Sequence, residues 1–139
     1  MTPHELSLLH KKCFTFPRPW STFEFEVLLK TSLLIVRPNS FLLGRLAGAE
    51  AEILTLAVDP DHRLKGLGYD LIAAFISEAS LKGASQFILE VSEINIAAIK
   101  LYKKHLFKQI AVRPRYYSSE IGGEKKDALV LSYCPTLKK

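Results

Sequence analysis

Apolar positions follow two rhythms along this chain. Leu71, Ile72, Phe75, Ile76 and Ala79 recur at helical spacing, whereas Ile53 to Val58 and Gln86 to Val91 are short apolar runs of strand length. Punctuation between such runs marks the other elements. Thr2-Pro3-His4-Glu5 combines an N-cap, a first-turn proline and an acid three residues on, and predicts a helix to about Cys13. Ser21-Thr22-Phe23-Glu24 repeats the capping pattern after the proline-rich stretch Phe14 to Trp20, and opens a second helix to about Lys30. Leu33 to Arg37 and Phe41 to Leu46, joined by Pro38-Asn39-Ser40, read as an antiparallel hairpin. Gly48-Ala49 then turns the chain into a third strand, Glu50 to Val58.

The helix after that strand ends near Gly83, and Gln86 to Val91 is the next strand. A strand, helix, strand unit of this length implies a right-handed parallel crossover. Asn95 to Lys104 forms another amphipathic helix. Lys108 to Val112 and Ala128 to Tyr133 read as short strands around a loop from Arg115 to Asp127. The expected fold class is α/β: a central mixed sheet, antiparallel at first and parallel at one pair, with helices on both faces.

Between the third strand and its helix lies Arg63-Leu64-Lys65-Gly66-Leu67-Gly68, preceded by the turn Asp59-Pro60-Asp61. A basic, glycine-containing loop opening onto a helix N-terminus suits phosphate: backbone N–H groups can approach the anion and the helix dipole attracts it. The spacing departs from a P-loop, because Tyr69 and Asp70 stand where Lys and Ser or Thr are required. It departs from the dinucleotide fingerprint at Leu71, although Glu90 lies about 20 residues on, where a ribose-binding acid would fall. A tight turn alone would also account for both glycines.

At 139 residues and 48% hydrophobic content, residues 1–139 are expected to form one domain with a substantial core. No apolar run approaches the roughly 18 residues of a membrane span, and the N-terminus lacks a charged-then-apolar signal pattern, so the cytoplasm is the expected compartment. Cys13 and Cys134 are isolated thiols; neither a disulfide framework nor a metal site is expected. The net charge of +5 is uneven: residues 1–60 carry six basic and six acidic side chains, residues 61–139 thirteen and eight. Lys100, Lys103, Lys104, Lys108, Arg113 and Arg115 could attract a polyanion. A solvated lysine face on a helix explains the first three better than RNA binding does, and no direct nucleic-acid binding is expected.

The second constellation begins at Glu90, alone in the apolar strand QFILEV. Alternation puts Ile88 and Glu90 on one face and Phe87, Leu89 and Val91 on the other. A half-buried carboxylate there would suit a general base. The next helix aligns Asn95, Ala98, Ile99 and Tyr102 along one stripe. Alone, Asn95 reads as a helix cap and Tyr102 as a core aromatic; together with Glu90, behind a phosphate loop, they suggest catalysis.

EILTLAVDPDHRLKGLGYDL, then FILEVSEINIAAIKLY, then RPRYY resembles the GNAT N-acetyltransferases. Within them it is most similar to the RimI type, which acetylates the N-terminal alanine of a small-subunit ribosomal protein. The resemblance implies a GNAT-type acyl-CoA N-acyltransferase fold and acetyl-CoA as cosubstrate, with no metal. Leu56, Ala57 and Val58 would offer backbone hydrogen bonds to the pantetheine arm and acetyl carbonyl. Arg63, Leu64, Lys65, Gly66, Leu67, Gly68 and Tyr69 would hold the pyrophosphate, and Asn95 the pantetheine side. Glu90 would take a proton from the amine and Tyr102 would give one to the CoA thiolate. Tyr116 and Tyr117 would lie near the acceptor, a protein N-terminus.

A basic acceptor peptide needs local acids for steering, and Glu50, Glu52, Glu93 and Glu120 are the candidates. The chain departs from the family at Lys104-His105-Leu106-Phe107, where Leu106 replaces a helix-ending glycine at some cost in strain. A lysine or small-amine acetyltransferase and a non-catalytic acetyl-CoA-binding module are the alternatives. A monomer or weak dimer is expected.

Overall fold

The computed structural model describes residues 1–14, 18–118 and 125–135, with backbone only at 115–118 and 125. Six strands form one sheet in the order β1-β2-β3-β4-β6-β5. The elements run α1 (Pro3–Cys13), α2 (Thr22–Leu29), β1 (Leu33–Arg37), β2 (Ser40–Ala47), β3 (Glu50–Val58), α3 (Leu67–Leu81), β4 (Gln86–Ser92), α4 (Ile96–Lys104), β5 (Lys108–Ser118) and β6 (Lys125–Tyr133). Both capping boxes form, Thr2 with Glu5 and Ser21 with Glu24. All neighbouring strands are antiparallel except β3 and β4, the parallel pair expected from the crossover.

The last two strands correct the sequence reading. β5 runs to Ser118 and β6 begins at Lys125, so much of the expected loop from Arg115 to Asp127 is paired sheet. Register shifts between Gln109 and Ala111 and between Arg113 and Tyr117 break the simple alternation that would have revealed it.

Two apolar clusters sandwich the sheet. α3 and α4 cover one face, with Leu71, Ile72, Phe75, Ile99, Tyr102, Phe87 and Leu89 at the centre. α1 and α2 cover part of the other, packing Leu6, Leu9 and Phe25 against Phe41, Leu43 and Ala57; among the described residues this cluster stops at β3. Gly44 is what lets α3 approach: a Cβ there would lie 2.2 Å from Cε1 of fully buried Phe75.

One irregularity shapes the site. Leu43 pairs with Thr55 but the adjacent Gly44 pairs with Ile53, leaving Leu54 as an extra residue on β3. Such a bulge bends a strand and swaps its faces. Ile53 accordingly belongs to the α3–α4 cluster, while Ala57 belongs to that of α1 and α2. The β3–β4 ladder covers Glu50–Ile53 against Gln86–Leu89 and goes no further. Beyond it the two strands part, and the β4-facing edge of Leu54 to Val58 lacks β4 as a partner.

Candidate active site

The parted strands lead to the loop at the start of α3. Three helices begin with a side-chain cap (Thr2, Ser21 and Asn95), but α3 begins at Gly66 without one. Its first turn therefore presents backbone N–H groups with no side-chain acceptor, the arrangement that receives an anion. Gly66 has φ 80° and open space around its Cα, so the backbone conformation is what demands glycine. Gly68 serves a different purpose. A Cβ there would fall 2.7 Å from Leu101 Cδ2, so its bareness lets α4 pack against the first turn of α3.

Leu64 takes φ 64° with its side chain fully exposed, and Lys65 is exposed beside it. Arg63 Nε donates to the Val58 carbonyl at 3.2 Å, tying the loop to the end of β3. Leu56 and Val58 are half-buried against the α3–α4 cluster, and Ala57 is buried on the other face. Tyr69 stacks on His105 with centroids 4.0 Å apart, and His105 Nε2 donates to the Tyr69 carbonyl at 3.0 Å. Desolvation lowers the pKa of His105 below its ordinary value, partly offset by that hydrogen bond.

Glu90 lies on the face opposite buried Phe87, Leu89 and Val91, as the alternation required. Its side chain is 28% exposed and both carboxylate oxygens accept from Arg113 Nη1, at 3.0 and 2.8 Å. Tyr102 is buried among the α3–α4 cluster with its ring 5.9 Å from that of Phe107. Glu90 and Tyr102 thus flank β4 from opposite faces of the sheet. Asn95 caps α4, its Oδ1 accepting from Ala98 N at 3.2 Å, which leaves its amide donors for other use.

Glu52 pairs laterally with Ile88, so it shares the face of Glu90 at a Cα separation of about 8 Å by sheet geometry. It is bridged to Arg45 at 2.8 Å. Glu50 sits at the opening of β3, and Glu93 accepts from Asp127 N at 2.8 Å. Tyr116 and Tyr117 fall on β5, but their side chains lie outside the described residues, as does Glu120. Among the described residues no cluster of His, Cys, Asp or Glu could hold a metal ion.

The Leu106 departure is visible. α3 and α4 both end in the same pair of bonds: Gly83 N to Ser80 O and Ala84 N to Ala79 O, against Leu106 N to Lys103 O and Phe107 N to Tyr102 O. Gly83 has φ 101° and Leu106 φ 70°, so a leucine occupies the left-handed position that glycine usually fills.

Sequence reasoning passed over His10. It is 2% exposed on α1, stacked between Phe14 and Trp20. Its Nδ1 accepts from Trp20 N at 3.0 Å, which puts the ring proton on Nε2, 2.9 Å from Thr55 Oγ1. Burial drives its pKa down to about 4. Cys13 Sγ donates to the Val58 carbonyl and Lys12 bridges Asp59, each at 3.2 Å, so α1 holds the second half of β3 at two points and the turn after it at a third. The signal available was its place on the helix face of Leu6 and Cys13.

The fold, the parted strands and the uncapped loop define an acyltransferase architecture, and comparison with known proteins agrees. The model of the acetyltransferase (GNAT) family matches residues 10–107. The chain belongs to that family. It is 34% identical over 93 residues to the ribosomal protein bS18-alanine N-acetyltransferase of Escherichia coli K12, covering 67% of this chain and 62% of the length of that relative. The crystal structure of the ribosomal-protein-S18-alanine N-acetyltransferase from E. coli superposes with a TM-score of 0.81 at 27% identity, covering 92% of this chain and 84% of that one. Arabidopsis thaliana NAA60 in complex with acetyl-CoA shares the fold at TM-score 0.80 and 18% identity, covering 97% and 94%.

Proposed function

We propose that this protein transfers the acetyl group of acetyl-CoA to the N-terminal α-amine of a protein, with alanine of a small-subunit ribosomal protein as the acceptor. The observation that carries the reading is the gap between β3 and β4 beyond Ile53 and Leu89, followed by the uncapped α3 loop. Glu90 on one face of β4 and Tyr102 on the other supply the acid–base pair in this reading. The residues present fit the cosubstrate. The loop from Arg63 to Tyr69 receives the pyrophosphate, and the β4-facing edge of Leu56 to Val58 offers backbone hydrogen bonds to the pantetheine arm. Asn95 keeps its amide donors for the same arm.

The acceptor approaches over the face of Glu90. Its ammonium gives one proton to the carboxylate, and the nitrogen lone pair attacks the thioester carbonyl carbon. As the C–N bond forms and the C–S bond breaks, the thiolate takes a proton from Tyr102 on the opposite side. The nitrogen then sheds its remaining extra proton to solvent. Ionisation favours an α-amine: about 10% is neutral at pH 7, against about 0.04% for a lysine side chain, a difference of about 3 kcal/mol before catalysis. The similarity to bS18-alanine acetyltransferases supports alanine and the ribosomal acceptor, and such a reaction belongs in the cytoplasm.

The test is thiol release from acetyl-CoA with peptides differing only at the first residue. Turnover should be highest with alanine. Glu90→Gln and Tyr102→Phe should each cost roughly 10²–10⁴-fold in turnover while acetyl-CoA binding by calorimetry persists. Preference for free lysine or a small amine, or full turnover in both variants, refutes the reading.

A further inference from the structure

Glu90 is held by a residue two strands away. Glu90 pairs with Val130 of β6, Val130 with Ala111 of β5, and Arg113 with Ala128, so the guanidinium reaches over β6 to chelate both carboxylate oxygens. Register shifts flank Arg113 on β5, and bulges of that kind re-aim a side chain. The pair lies on the sheet face that the α1–α2 cluster leaves at β3, with Arg113 48% exposed and Glu90 28%.

An acceptor α-amine is about 90% ammonium at pH 7. It therefore meets a carboxylate whose place beside it is already taken by another cation. We propose that Arg113 is a positioning residue: an exchangeable counter-ion that keeps Glu90 aimed across the sheet until the acceptor ammonium displaces it. This rests on the reading of Glu90 as the proton acceptor. The exchange breaks the two hydrogen bonds from Arg113 to Glu90 and forms ammonium ones in their place; one proton then moves from nitrogen to the carboxylate. Its half-exposure makes the exchange feasible. A pair this open to water is weak. A buried pair would resist displacement.

The same competition predicts an unusual kinetic signature. In Arg113→Ala the competitor is gone, so KM for an Ala-starting peptide falls about two- to fivefold, the range of an exposed ion pair. The carboxylate also loses its restraint, so kcat falls about tenfold through lost orientation. Arg113→Lys restores both towards the parent values. In a Glu90→Gln background, Arg113→Ala should change KM less than about twofold, because the contact it acts through is gone. Peptide-dependent thiol release by the four proteins and the double variant reads all of this. A KM that stays or rises in Arg113→Ala, or the same KM change in both backgrounds, overturns the proposal. Full kcat in Glu90→Gln would instead overturn the role of Glu90 as base, and the KM comparison between backgrounds would still judge Arg113.

Discussion

Lowering the pH should weaken this fold through His10. Folded, its imidazole is neutral: Trp20 N–H occupies one nitrogen, Thr55 the other, and aromatic rings surround it. It takes up a proton near pH 4 when folded and near its ordinary 6.5 when unfolded. Between those values the unfolded state binds more protons, so stability is lost as pH falls from about 6.5 towards 4. The loss from this group is about 2 kcal/mol at pH 5 and about 3 kcal/mol at pH 4. Urea unfolding at pH 7, 6, 5 and 4 of the parent and His10→Asn isolates it, since Asn can still accept from Trp20 N–H but does not titrate. His10→Asn should be the less stable protein at pH 7, and its deficit should shrink by about 2 kcal/mol at pH 5. Glu24, held down to about 2 chiefly by Arg18 and Ser21, also favours the folded state above its folded pKa, but it is common to both proteins and cancels. Stability curves that stay parallel across this range would refute the assignment of the acid sensitivity to His10.

Other outcomes follow from the packing and the site. Gly44→Ala should cost about 1–3 kcal/mol, read by thermal unfolding, because the new methyl meets the immobile ring of Phe75. Leu106→Gly should stabilise by about 1 kcal/mol by relieving φ 70°; a lower Tm would show that the half-exposed leucine packs to greater effect than it strains. Gly66→Val should weaken acetyl-CoA binding in a protein that still folds, and unchanged affinity by calorimetry would remove this loop from the cosubstrate site. Charge reversal at Glu52 should raise KM for a peptide beginning Ala-Arg more than for Ala-Ala, because Glu52 shares the sheet face of Glu90, over which the proposed acceptor approaches; equal effects would end the steering idea.

Local chemistry was enough to place most elements. Capping residues at Thr2 and Ser21, the turn at Pro38-Asn39-Ser40 and the glycine at 83 act within a few residues, so their effect is written where they stand. The same holds for the loop from Arg63 to Gly68 and for the face of Glu90, because alternation within a strand is a local property. What the sequence by itself could not carry is everything decided between strands. The bulge at Leu54 shows only in the register of β3 against β2, and the β3–β4 ladder ends at Ile53, just before it. The length of β5 and β6 was hidden because register shifts interrupt their period. Gly68 looked like a second phosphate glycine, yet its tightest demand comes from Leu101, more than 30 residues away. Arg113 reads as one more basic residue until β6 folds between it and Glu90. Sequence assigns a residue its chemistry and its face; only tertiary packing decides which charge, ring or strand that face will meet, because those neighbours come from distant parts of the chain.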